Sequence, residues 1–206
     1  MTEDTHNKLK EIKQSFRFYM NGVVSSSMRQ KGANYKINWG VSLAHLNEIA
    51  QQYGKDEALA DELWKENIRE CKILATIIMP TSAMTQAKAH EWVSQIPTQE
   101  IAELASFHLF QRLPDAVSLA MEWLGSENSL SKICAYHILS SQFKQGSNLG
   151  KDDVSLFLSS ASHSLRSNLP GEQHAALNAL NHYADMDERY AEEVDNLLTE
   201  WQEELQ

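Results

Sequence analysis

Two stretches restrict the fold of this chain more than anything else in it: Leu63–Pro80 (LWKENIRECKILATIIMP) and Glu122–Ser140 (EWLGSENSLSKICAYHILS). Each opens with a short acidic or polar lead-in. Apolar and small residues then recur at helical spacing: Ile68, Cys71, Leu74, Ala75 and Ile78 in the first, and Leu130, Ile133, Cys134, His137 and Ile138 in the second. Two such units in one chain predict a solenoid of stacked helix pairs, because a single pair cannot bury its own apolar face. A stack of this kind offers a concave surface to a large ligand rather than a deep pocket.

The rest of the chain agrees with an all-α reading. Helical spacing predicts helices over Thr5–Val24, Ser42–Tyr53, Asp56–Glu66, Ile68–Met79 and Met84–Ser94. Further helices are expected from Thr98 to about Arg112, from Pro114 to Gly125, and over Ser129–Phe143, Asp152–Leu165, Gly171–Ala184 and Asp187–Leu205. Ser42 and Thr98 read as N-caps, and Pro80 as a stop. Ser25–Asn38, rich in Ser, Gly and Asn, reads as a loop, and Gln145–Gly150 as another. No segment alternates with period two for more than a few residues. Cys71, Ala105, Cys134 and Ala176 are the expected central anchors of successive inner helices.

With 206 residues the chain can form one sizeable domain with a continuous core, taken as residues 1–206. Only 4 Pro and 8 Gly argue against a loop-rich all-β fold. No secretory signal is visible, and the longest apolar run is far too short to span a bilayer, so no membrane partner is expected. Both cysteines fall on apolar helix faces and read as small core residues in a reducing compartment, which makes the cytoplasm the expected location. The net charge of −10 is unevenly spread: residues 1–40 carry +4, residues 185–206 carry −8 and the segment between them −6. A local basic patch is therefore compatible with an acidic total. Solvated helix faces at both ends fit the same distribution.

Several ordered motifs carry a resemblance. They are Asn38–Ala50 (NWGVSLAHLNEIA), the Leu-Trp…Arg-Glu…Leu-Ala pattern from Leu63, Glu91–Val93 (EWV), the helix from Thr98, and WLGSENSLSKICA from Trp123. Together, over about residues 35–185, the chain resembles the AlkD-type DNA alkylation repair proteins, the HEAT-like repeat DNA glycosylases. The resemblance implies a curved, right-handed stack of HEAT-like helix pairs that cradles double-stranded DNA. It also implies an N-glycosylase that releases cationic alkylated purines, such as 3-methyladenine and 7-methylguanine, without a cofactor or metal. In that family a carboxylate stabilises the positive charge developing on the deoxyribose, while two indoles and an Arg line the cleft. An N-methylated purine is already a good leaving group, so a nearby anion and contacts with aromatic faces supply what remains.

Carried over by position, the catalytic carboxylate falls on Glu103 and one cleft indole on Gln99, with Glu100 between them. The stretch after Ser-Glu-Asn puts Leu130 at an indole position and keeps one cation, Lys132. The later indole falls on Asn178. The departures are thus concentrated where the chemistry would be. Glu is one methylene longer than Asp and moves the charge by about 1 Å, a displacement that can cost on the order of 100-fold in rate. Two readings follow: a retuned glycosylase, or a catalytically inactive HEAT-like module that binds DNA or a protein partner.

Other candidates stand on residue type. Lys132 with Arg69 and Lys72 could present cations to phosphates, affording affinity without base readout. Pairing of Arg69 and Glu70 with neighbouring repeats, as structural ion pairs, fits the same residues. Trp39, with Lys36 and Tyr35 before it, interleaves aromatic and basic groups as nucleic-acid surfaces do; a packing wedge is the other reading of Trp39. Trp64 and Trp92 read as packing between helices. Glu100 and Glu103 share a helix face suited to acid–base work or to a dipole-favoured first turn. No histidine pair has zinc spacing.

Overall fold

The computed structural model describes residues 2–204, and these residues hold twelve α-helices and no strand. They are α1 (Glu3–Tyr19), α2 (Gly22–Gln30), α3 (Leu43–Tyr53), α4 (Glu57–Lys65), α5 (Arg69–Ile78), α6 (Gln86–Ser94), α7 (Gln99–His108), α8 (Ala116–Leu124), α9 (Ser129–Lys144), α10 (Lys151–Leu165), α11 (Pro170–Ala184) and α12 (Glu188–Glu204). Two short 3-10 turns, Thr81–Ala83 and Phe110–Arg112, follow α5 and α7. The helix expected to run to Leu205 ends at Glu204 among the described residues, and Leu205 lies outside them. The chain forms two compact units, Met1–Leu109 and Phe110–Gln206.

In the first unit α5 is the central element. It packs on α3, α4 and α7, while α1 packs on α4. Every residue from Arg69 to Thr76 is buried, so α5 is enclosed on all sides. In the second unit α9 has that place, packed between α8 and α11, with α10 on α8 and α11. Contacts between alternate helices, α5 with α7 and α9 with α11, are what a helix-pair repeat requires. Cys71, Ala105, Cys134 and Ala176 each lie at 0% exposure on these inner helices, where small side chains permit close approach. Both cysteines are free and buried, and burial pushes the Cys71 thiol well above its ordinary pKa.

The caps follow local chemistry. The side chains of Ser42, Asp56, Thr98 and Asn128 accept the backbone N–H groups of His45, Leu59, Ile101 and Leu130. Trp64 and Trp92 stack between α4 and α6 with centroids 4.3 Å apart and planes 2° from parallel. The Trp64 Nε1–H donates to Gln95 Oε1 at 3.0 Å.

One expected loop is different. Ser25–Asn38 begins inside α2, and the helix expected over Thr5–Val24 breaks at Met20–Asn21. Asn21 starts α2 by accepting the Val24 N–H at 3.1 Å. Only Ser25 of α2 is buried, so this helix carries no apolar stripe that a periodicity could reveal.

Candidate functional site

The residues singled out by sequence fall in both units. In the first, Gln99 and Glu103 lie one turn apart on α7, and the Gln99 amide donates to Glu103 Oε1 at 2.8 Å. Gln99 is exposed and Glu103 half-buried. This is the only pairing among the assigned positions in which the expected carboxylate is held directly by another of them.

Glu100, on the same turn, belongs to a different arrangement. Its carboxylate accepts Arg69 Nε at 2.9 Å and 3.1 Å, Arg69 Nη2 at 2.6 Å and the Tyr35 hydroxyl at 2.6 Å. The Tyr35 hydroxyl also meets Thr98 Oγ1 at 2.7 Å. Burial opposes charge on Glu100, but the hydrogen bonds from Arg69 and Tyr35 and the adjacent guanidinium outweigh it, holding the carboxyl below its ordinary range. Burial and the bond to Glu100 push the Tyr35 phenol up, so it acts as a neutral donor.

Arg69 is 4% exposed, and its Nη1 donates to the Val41 carbonyl at 3.0 Å and reaches Glu70 Oε1 at 3.3 Å. Glu70, at 0% exposure, accepts the backbone N–H groups of Trp39 at 3.1 Å and Val41 at 3.2 Å. Consecutive residues at the start of α5 thus bind opposite polarities of one loop: Glu70 takes its N–H groups, and Arg69 takes a carbonyl and the carboxylate of α7. The Arg-Glu pair of the sequence pattern is structural here, with Arg69 committed to internal partners. Lys72 is likewise turned inward. Its ammonium donates to the Trp64 carbonyl and lies 4.3 Å from the Trp64 ring centroid, and burial pushes its pKa down. Neither side chain presents a cation at the surface, as the sequence spacing had suggested they could.

Lys36 is exposed and has no carboxylate partner among the described residues. Trp39 is half-buried; with Leu9, Lys10, Arg17, Ile37 and Glu66 it lines a cleft of about 590 Å³. In this cleft Lys13 pairs with Glu66 at 2.8 Å.

In the second unit, Lys132 on α9 directs its ammonium toward Glu172 of α11 at 3.8 Å. Glu172 is 3% exposed and accepts the Ser164 hydroxyl at 2.7 Å, which in turn meets the Tyr136 hydroxyl at 2.9 Å. Leu130 is half-buried in the first turn of α9. Asn178 donates to Ser140 Oγ at 3.2 Å, joining α11 to α9. Sequence reasoning placed Tyr35 beside Trp39 but not against Glu100, and it missed Tyr136, Ser164 and Glu172; the signal for Glu172 was its place one turn before the apolar run of α11. Replacing Tyr136 by Phe removes one buried hydroxyl from this chain of hydrogen bonds and leaves Ser164 bonded to Glu172. The expected cost is about 1 kcal/mol in urea unfolding.

Among the described residues no cluster of His, Cys, Asp or Glu is placed to hold a metal ion, and no helix is long and apolar enough to cross a membrane.

Comparison with known proteins bears on this arrangement. No curated protein matches the chain. A solved structure described as "A new family of proteins related to the HEAT-like repeat DNA glycosylases with affinity for branched DNA structures" superposes with a TM-score of 0.79. The match covers 94% of this chain and 83% of that one, at 17% identity, and shows that the two share a HEAT-like repeat fold. The family model described as DNA alkylation repair enzyme matches residues 12–201. A match over residues 12–201, across both helix-pair units, places the chain in the DNA alkylation repair enzyme family.

Proposed function

We propose that this protein binds DNA through its helical-repeat scaffold and recognises DNA structure without excising bases. The observation that carries the reading is the pairing of Gln99 with Glu103 at 2.8 Å, where the resemblance places an indole and a catalytic carboxylate. An anion that stabilises a developing sugar cation acts best in a water-excluded site, with its charge free to face that cation. Here the amide draws on the charge, and with Gln99 exposed and Glu103 only half-buried, solvent screening weakens it further. The one inherited cation, Lys132, faces Glu172. Support for DNA as the partner comes from the family and from the solved relative, whose description names affinity for branched DNA.

A second reading is a glycosylase that uses Glu103 to release 3-methyladenine or 7-methylguanine. The partial exposure of Glu103 favours it, since the carboxylate is accessible.

Both readings are tested by incubating the protein, and its Glu103→Gln variant, with duplex DNA bearing either lesion. Free base and binding are then measured together. The expected result is salt-sensitive binding with no base release by either protein. Four phosphate contacts would reduce affinity about 100-fold between 50 and 200 mM salt. Base release that is abolished in Glu103→Gln would establish the second reading. Absence of both release and binding would sink the DNA reading and leave a protein partner.

A further inference from the structure

The corner between α1 and α2 exposes large apolar side chains that the core does not use. Phe18 is 86% exposed, Met20 57% and Val23 81%. Single exposed apolar residues are ordinary, whereas several within one short turn mark a contact surface.

The backbone that carries them is pinned. The Asn21 N–H donates to the Trp39 carbonyl at 2.8 Å, and the Ser25 hydroxyl to the Asn38 carbonyl at 2.9 Å. Gly40 lies so close that an added Cβ would stand 2.3 Å from the Asn21 carbonyl oxygen. The apolar side chains therefore project from an ordered support, and little backbone freedom is left to lose on binding.

The surrounding charge identifies the occupant. Residues 12–47 contain Lys13, Arg17, Arg29, Lys31 and Lys36 and no Asp or Glu, although the whole chain carries −10. Lys13 is paired with Glu66, whereas Arg17, Arg29, Lys31 and Lys36 have no carboxylate partner among the described residues. An apolar projection in a chain segment whose remaining cations are unpaired fits a polyanion with apolar faces between its charged rails. Nucleic acid has that construction. In a continuous duplex the base faces are covered, and insertion of a side chain requires unstacking. At a branch point terminal base pairs already expose a face, and stacking one base on an aromatic ring strengthens binding on the order of tenfold.

We propose that the α1–α2 corner is a wedge for DNA branch points. Phe18, Met20 and Val23 pack against the exposed base-pair face, and Arg17, Arg29, Lys31 and Lys36 neutralise the flanking phosphates. The inference rests on the DNA-binding reading above and assigns part of that binding to residues outside the Gln99–Glu103 and Lys132 positions.

The test compares the full chain with a Phe18→Ser/Val23→Ser variant, whose circular dichroism should be unchanged because both positions are exposed. The probes are a three-way DNA junction with 2-aminopurine at the branch and a linear duplex of equal length. Junction affinity should fall about tenfold in the variant, duplex affinity should stay within twofold, and the branch-point fluorescence change should vanish. Wild-type and variant proteins that bind both DNAs with the same preference overturn the wedge and leave the DNA-binding reading standing. Failure of the wild type to bind either DNA overturns both. Binding to phosphatidylserine vesicles that the junction cannot displace makes the corner a membrane contact and overturns the wedge.

Discussion

Arg69→Ala is expected to cost about 3–5 kcal/mol of folding stability, because it breaks a buried pair by removing one partner. Arg69 holds Glu100 through Nε and Nη2 and the loop carbonyl of Val41 through Nη1. Without it, Glu70 stays at 0% exposure with backbone N–H groups as its remaining partners, and Glu100 keeps only the Tyr35 hydroxyl. For a chain of this length the melting temperature should fall on the order of 10 °C. Arg69→Lys keeps the charge but not the planar fork and should recover only part of the loss.

The pH dependence follows from the sign of the Glu100 shift. Its folded-state carboxyl is held below the ordinary value of 4.5. It therefore contributes stability that is fully present above that pH and is lost as pH falls through the lower, folded-state value. The wild type should lose stability across this acid window, and Arg69→Ala should show a shallower loss, since the cation holding the shift is gone. Urea unfolding at neutral pH and at successive steps below 4.5 measures both effects. A neutral-pH cost below 1 kcal/mol would show that the latch on the loop is not needed for the fold.

The two stretches that announce the fold were legible because α5 and α9 are enclosed helices, and enclosure demands the run of small and apolar residues that the sequence displays. Ser42 and Thr98 were legible as caps because their hydroxyls sit at the boundary itself. The α1–α2 corner was not. Val23 and Val24 continue the apolar pattern past Tyr19, so the chain reads as one helix, and nothing local shows that Asn21 turns to cap a second one. The charges of α5 were hidden for a related reason. Arg69 and Lys72 look like solvent-facing cations until Glu100, thirty-one positions beyond Arg69, and the Trp64 carbonyl are brought to them. The candidate carboxylate Glu103 was placed by resemblance, but its partner was local: Gln99 lies four residues earlier, at the spacing that brings helix side chains together. A polar residue at that spacing, in place of an indole, is the most direct sequence sign that the inherited carboxylate has a different environment.

Gly40→Ala is expected to destabilise the first unit by about 2–5 kcal/mol, combining the cost of a left-handed backbone with that of an overpacked contact. Gly40 has a φ of +71°, and its added Cβ would meet three backbone atoms: Asn21 O at 2.3 Å, Ser25 N at 3.0 Å and Asn21 C at 3.2 Å. A flexible side chain could rotate aside, but these atoms form the N-terminal turn of α2 and move only with it. Relief would pull Asn21 from the Trp39 carbonyl and Ser25 from the Asn38 carbonyl, releasing the corner that presents Phe18 and Val23. Gly32→Ala separates strain from crowding, because Gly32 has a φ of +87° and nothing within 4 Å of an added Cβ. That variant should cost about 1–2 kcal/mol, the conformational penalty alone. Thermal unfolding should rank the chains wild type, Gly32→Ala, Gly40→Ala in decreasing stability, and hydrogen exchange should accelerate in α2 for Gly40→Ala specifically. Equal costs at the two glycines would mean that the contact with Asn21 does not hold the corner. If the ranking holds, Gly40→Ala should also weaken junction binding more than duplex binding, since an apolar wedge works only while its backbone is fixed.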